Sequence, residues 1–119
     1  MNLDTAIQAH AQWKMKLRSA ISRCEAVDAA SIGADNCCEL GRWMHGEGRI
    51  ALGRSPVFNE CLSLHAAFHR EAGRVANAIN ARRYEEAEAM LNSGTAYSEA
   101  SSAVGAGLIR LKREAAQAA

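Results

Sequence analysis

Between Leu3 and Cys24 one stripe recurs at steps of three and four: Leu3, Ile7, His10, Trp13, Leu17, Ile21 and Cys24. That period predicts a single amphipathic helix across the segment, with Lys14, Lys16 and Arg18 largely off the stripe. The pattern breaks from Asp28 to about Cys38, where Ser31, Gly33, Asp35 and Asn36 are turn formers. Asn36 is placed to cap a short helix starting near Cys37 or Cys38. This helix would carry Leu40 and Trp43 inward and stop at Gly46-Glu47-Gly48, where glycine would supply a positive φ. Gly41 lets another backbone or ring approach it. Ser55-Pro56 opens the next long helix, serine as N-cap and proline as first helical residue. Its stripe is Phe58, Cys61, His65, Phe68, Ala72, Val75 and Ile79. After the polar connection Asn80-Ala81-Arg82-Arg83, a last helix is predicted from about Tyr84 to Arg113. Its inner face reads Ala87, Leu91, Gly94, Ser98, Ser101, Gly105 and Leu108. Side chains this small predict tight packing inside the same bundle rather than a dimer seam, with bends at Gly94, Gly105 or Gly107. The tail Ala115 to Ala119 is expected to fray.

These elements describe one domain over residues 1–119. The expected class is all-α: an antiparallel bundle of three long helices plus a short cysteine-bearing helix, four-helix-bundle-like. Composition agrees, with a single proline and only 5% aromatic residues in an alanine-rich chain. Charged residues make up 23% and the net charge is +1, with no long basic run. A row of phosphates would find no matching surface, so no nucleic-acid partner is expected. No secretory leader is visible, and no run reaches the roughly 18 apolar residues of a membrane span, so a cytoplasmic location is expected. In that compartment the four cysteines are thiols or metal ligands rather than disulfides.

Candidate chemistry gathers on a few polar residues set among apolar ones. His10 lies between Ile7 and Trp13, and a buried imidazole needs partners for both nitrogens. A hydrogen-bonded core histidine and a metal ligand are both open readings. Cys38, in the first turn of its helix, would have its thiolate favoured by the exposed N–H groups. His65 and His69 are four apart and point off one helical face, a turn apart. Facing helices of a bundle commonly build metal sites in its core, and one thiolate with three imidazoles suits tetrahedral zinc. His45 is read as exposed and outside the site. Cys37 points elsewhere, and Cys24 and Cys61 are read as core residues. Cys61, one turn before His65, could sit near the site. Trp13 and Trp43 are read as packing.

The motifs C-x-L-G-x-W-M at Cys38–Met44, H-x-x-W-K at His10–Lys14 and H-x-x-x-H at His65–His69 resemble the chemoreceptor zinc-binding domain family. The resemblance spans about residues 5 to 112. It implies a helical bundle with a three-histidine, one-cysteine zinc site, found alone or fused to bacterial chemoreceptors and diguanylate cyclases. Carried over by motif, the ligands are His10, Cys38, His65 and His69, with the family's aromatic at Trp43. The implied function is a zinc-binding sensory or regulatory module of chemotaxis or cyclic-di-GMP type. Its partners would be a signalling protein or a fused output domain, and it would work as a homodimer. A variant makes Cys38 a redox trigger. The alternatives are a structural-zinc interaction module or a bundle metalloenzyme. No H-E-x-x-H or E-x-x-H motif supplies an enzyme's carboxylate base, so no catalytic residue is assigned.

Overall fold

The computed structural model describes residues 1–118, which form eight α-helices with no strand among them. The organising element is α6 (Pro56–Asn80), a helix of 25 residues. Its start follows the chain's own signals. Ser55 accepts a hydrogen bond from the N–H of Phe58 at 3.2 Å, and Pro56 takes the first helical position. All seven stripe residues, from Phe58 to Ile79, are buried. Each large apolar side chain so buried contributes about 1.5–3 kcal/mol over leaving it in water.

The other elements wrap α6 in chain order: α1 (Leu3–Ala11), α2 (Trp13–Arg23), α3 (Ala29–Gly33), α4 (Glu39–His45), α5 (Glu47–Leu52), α7 (Tyr84–Met90) and α8 (Ala96–Ala118). Four columns result. Asn80 is clasped to Val27 by two backbone-to-amide hydrogen bonds of 2.8 Å each. From there the segment α3–α4–α5 descends along α6. Gly33 meets Gly73, Cys38 meets His65, and Trp43 meets Phe58. This second column therefore runs antiparallel to α6. The pairs Asp4–Lys112, Arg18–Glu88 and Glu60–Arg110 set α7–α8 antiparallel to both α1–α2 and α6. At the α3–α6 crossing the backbones nearly touch: a Cβ built on Gly73 would lie 2.8 Å from the Cα of Gly33.

The all-α antiparallel bundle is as expected, but several element boundaries differ. The first stripe belongs to two helices, broken at Gln12. Gln12 still donates to Gln8 and accepts from Lys16, so the ladder is barely interrupted. Cys24 is exposed rather than core, because it ends α2 with a left-handed φ of 53°. The supposed turn region contains α3, capped by Asp28, which accepts from the Ser31 N–H at 3.2 Å. Asn36 caps nothing; Cys38 itself is the N-cap of α4. Gly46 has a φ of −119° and leads straight into α5, so no left-handed stop occurs there.

The last helix is likewise two, parted at residues 91–95, where Gly94 has a φ of 81° and Thr95 accepts from the Ser98 N–H. The inner face of α8 is Tyr97, Val104, Leu108 and Leu111. The small stripe is not wholly interior: Gly94 is exposed and Gly105 has open space where a Cβ would stand. Helical geometry continues from Ala115, where fraying is expected, to Ala118; residue 119 lies outside the described residues.

Candidate metal centre

The four side chains reach one point because three different elements fix them there: α1, α4 and α6. His10 sits in the last turn of α1 and is buried at 6% exposure. His65 and His69 project from adjacent turns of α6 and are fully buried. Cys38 arrives from the opposite side as the N-cap of α4 and is the one member of the four that is not buried. One potential ligand atom from each of these four residues lies within 4.8 Å of the others. Cys38 Sγ is 3.4 Å from His65 Nε2 and 3.6 Å from His69 Nε2, and those two nitrogens are 3.0 Å apart. A tetrahedral zinc with ordinary Zn–N and Zn–S bonds has ligand–ligand edges of about 3.3–3.6 Å. The Cys38, His65 and His69 atoms are therefore near the dimensions of a zinc shell, with the His10 atom within 4.8 Å of them.

The outer contacts fix which nitrogens face inward. His10 Nδ1 lies 2.9 Å from the carbonyl of Ala6, and His69 Nδ1 lies 2.8 Å from the carbonyl of Ile32. A carbonyl only accepts, so both Nδ1 atoms carry hydrogen and both Nε2 atoms keep a lone pair. Such carbonyl partners orient metal-bound imidazoles and set their tautomer. His10 Nε2 is buried with no hydrogen-bond partner, and so is His65 Nδ1. An orphaned, buried lone pair on His10, aimed where two more imidazoles and a thiol converge, fits an ion better than a hydrogen-bonded core histidine.

Aromatic walls hold the rings in place. Phe68 packs edge-on against His10 (5.4 Å between centroids) and His69 (5.3 Å), and Trp13 stands 6.2 Å from His69. Trp43 seats α4 on Phe58 at 6.1 Å. Gly41 is where α4 touches its own approach loop: a Cβ there would collide with the carbonyl of Asp35 and lie 3.2 Å from the Cα of Asn36.

Burial disfavours every charged form here. It lowers the pKa of His10 and His69, and with repulsion from His69 and His10 it brings His65 down to about 3. Burial also pushes the Cys38 thiol up, although the Gly41 N–H, 3.3 Å from Sγ, pulls the other way. The thiolate preference expected at this helix start is thus outweighed by desolvation, and metal must displace the thiol proton.

A pH dependence follows for the metal-free protein. Below about 6.5 the unfolded chain takes up protons on these histidines while the folded chain does not. Stability therefore falls as pH drops from 6.5 towards 3, by about 1 kcal/mol or more per pH unit in that window. Thermal melts of chelator-treated protein between about pH 7.5 and 5 test this; a flat midpoint would contradict it.

The remaining candidates lie outside the cluster. His45 is exposed and bonds Asp35 Oδ2 at 2.9 Å, an interaction that sequence reading missed. Burial alone would raise the Asp35 pKa, but His45's hydrogen bond and charge outweigh it and leave it lowered. Cys37 is exposed and turned towards Asn36. Cys61 is core, packed where Gly107 gives α8 room, and burial pushes its thiol to about 11.

No curated protein and no solved structure matches the chain. The profile of the family described as "Chemoreceptor zinc-binding domain" matches residues 10–76, from the first histidine through the α3–α6 crossing. That match is shorter than the span of about residues 5 to 112 read from the motifs, and it leaves α7 and α8 outside. It covers more than half of the chain and includes all four clustered side chains, whose donor set fits zinc, so the chain belongs to the chemoreceptor zinc-binding domain family.

Proposed function

We propose that His10, Cys38, His65 and His69 hold one zinc ion, and that the chain is a regulatory module of bacterial signalling whose zinc state is read by another protein or domain. The convergence of four ligand atoms within 4.8 Å carries this reading. Four protein donors complete a tetrahedral shell and leave no position for a substrate water, which favours regulation over hydrolysis. The ion would tie α1, α4 and α6 together. Its gain or loss would bias their packing by as much as its affinity differs between the two arrangements. The motif resemblance supplies the rest of the proposal: a homodimer with output of chemotaxis or cyclic-di-GMP type. No helix among the described residues is long and apolar enough to cross a membrane.

Metal analysis of the purified chain, followed by competition with chelators of graded strength, tests the proposal. One zinc per chain, exchangeable while the protein stays folded, is expected. A chain purified without metal and unable to take up zinc would refute the ligand assignment. Zinc that leaves only on unfolding would convert the regulator into a structural-zinc interaction module.

The partial exposure of Cys38 supports a second reading, in which the stimulus is an oxidant. The thiolate sulfur would attack one oxygen of hydrogen peroxide, breaking the O–O bond. Hydroxide leaves and is protonated to water, and the sulfur becomes a sulfenate, a weaker ligand. Peroxide-driven zinc release that disappears in Cys38→Ser is the expected result; oxidation without zinc release would sink this reading.

A further inference from the structure

An exchangeable ion needs a way in. His65 and His69 have no exposed surface and His10 has 6%, so three sides of the cluster are closed. A cleft of about 240 Å³ opens between the α1–α2 column and the start of α4. Its walls include Thr5, Ala9, His10, Trp13, Cys38 and Glu39. Two of the four clustered side chains, His10 and Cys38, thus form its inner wall. Two other clefts, one along α5 and one beside α7, touch none of the four.

The dimensions suit a small guest. At roughly 30 Å³ per water, the cleft has room for about eight waters, enough for a divalent ion with its first hydration shell. Charge of both signs lines the cleft: Glu39 stands next to Cys38, the most exposed member of the cluster, and Lys16 lies over Trp13, 5.1 Å from its ring. The geometry points to this cleft as the exchange port of the metal centre, through which hydrated zinc and small thiol reagents reach Cys38 first. This inference rests on the zinc reading above. It adds the direction of traffic and makes Cys38 the outermost of the four and the first to be engaged or released.

The test blocks the port without touching the cluster. Ala9 and Thr5 are exposed and line the cleft, so Ala9→Trp and Thr5→Trp place a ring across its mouth. Ala89→Trp does the same in the cleft beside α7 and serves as control. The readouts are the rate of zinc transfer to a chelator, the equilibrium zinc affinity, and the rate of iodoacetamide alkylation at Cys38 in the metal-free chain. Alkylation is followed by mass spectrometry with exposed Cys24 as internal reference. At least a tenfold slowing of transfer and of Cys38 alkylation is expected in both port variants. Affinity should be unchanged, because an obstructed passage slows entry and exit alike, and Ala89→Trp should behave as the parent chain. Unchanged rates in both port variants overturn the inference. Should Ala9→Trp disturb folding, Thr5→Trp decides alone. If the parent chain binds no zinc, the ligand assignment fails, while Cys38 alkylation still judges the cleft.

Discussion

Replacing His65 with alanine is expected to abolish the rise in thermal midpoint that zinc gives the parent chain. The size of that rise follows from mass action. Free zinc at a thousandfold above the dissociation constant stabilises the folded chain by about 4 kcal/mol. For a domain of this length each kcal/mol moves the midpoint by about 3–6 °C, so the parent should gain about 12–24 °C. His65 is the ligand to remove because it touches both Cys38 and His69 and has no exposed surface. Its loss also leaves a cavity in the core, so the comparison is made within each protein, with and without zinc. In the metal-free state the two chains should differ much less. Alanine removes a buried ring whose Nδ1 has no partner, which offsets part of the cavity cost. Melts followed by circular dichroism check this, and a His65→Ala chain that keeps the full zinc-induced rise would remove His65 from the site.

Gly41→Ala is expected to cost about 2–3 kcal/mol, at the upper end for overpacking, because the new methyl meets backbone. The carbonyl of Asp35 occupies the space that a Cβ would take, and the Cα of Asn36 lies just behind it. Residues 35–38 must shift to make room, and they carry Cys38. The Gly41 N–H also donates to Cys38 Sγ at 3.3 Å. Zinc affinity should therefore fall together with stability, by about 10- to 100-fold, as when an outer partner of a metal ligand is lost. Urea unfolding of the metal-free chain measures the first effect and chelator competition the second. Unchanged stability and affinity in Gly41→Ala would mean that the approach loop does not seat the thiol.

The long elements were legible because their stripes are long. The α6 pattern runs unbroken from Phe58 to Ile79 and is framed by a strong start signal, and every residue on it is buried. The convergence of His10, Cys38, His65 and His69 could be foreseen once the helices were assigned, since His10 and His65 interrupt apolar stripes and His69 lies one turn beyond His65. What escaped was local. A helical stripe barely registers a one-residue break, so Gln12 passed unnoticed inside a period that continued on both sides. Five-residue α3 is too short for periodicity, although Asp28 three residues before Ser31 was a readable capping signal. In the same way Thr95, three before Ser98, marked the true start of α8. Small residues on α8 were read as interior because they pack closely when buried. Nothing in Gly105 itself says whether a neighbour is there, and none is. The Cys38 thiol was misjudged because the N–H groups at a helix start are visible in a sequence and burial is not.

The close crossing of Gly33 and Gly73 has a mechanical consequence. With backbone against backbone, and with the Ile32 carbonyl held by His69 Nδ1, sliding or rolling α3 on α6 would break both contacts. Were Cys38 released, α3 would be the fixed leaf of a hinge. The pin would be the loop at residues 34–38, and the swinging leaf α4–α5, which ends just before Ser55. When Cys38 lets go, displacement should stay within residues 34–52, leaving the long columns in register. A partner that senses the departure would then find the altered surface on α4 and α5, at the end of the bundle where α6 begins.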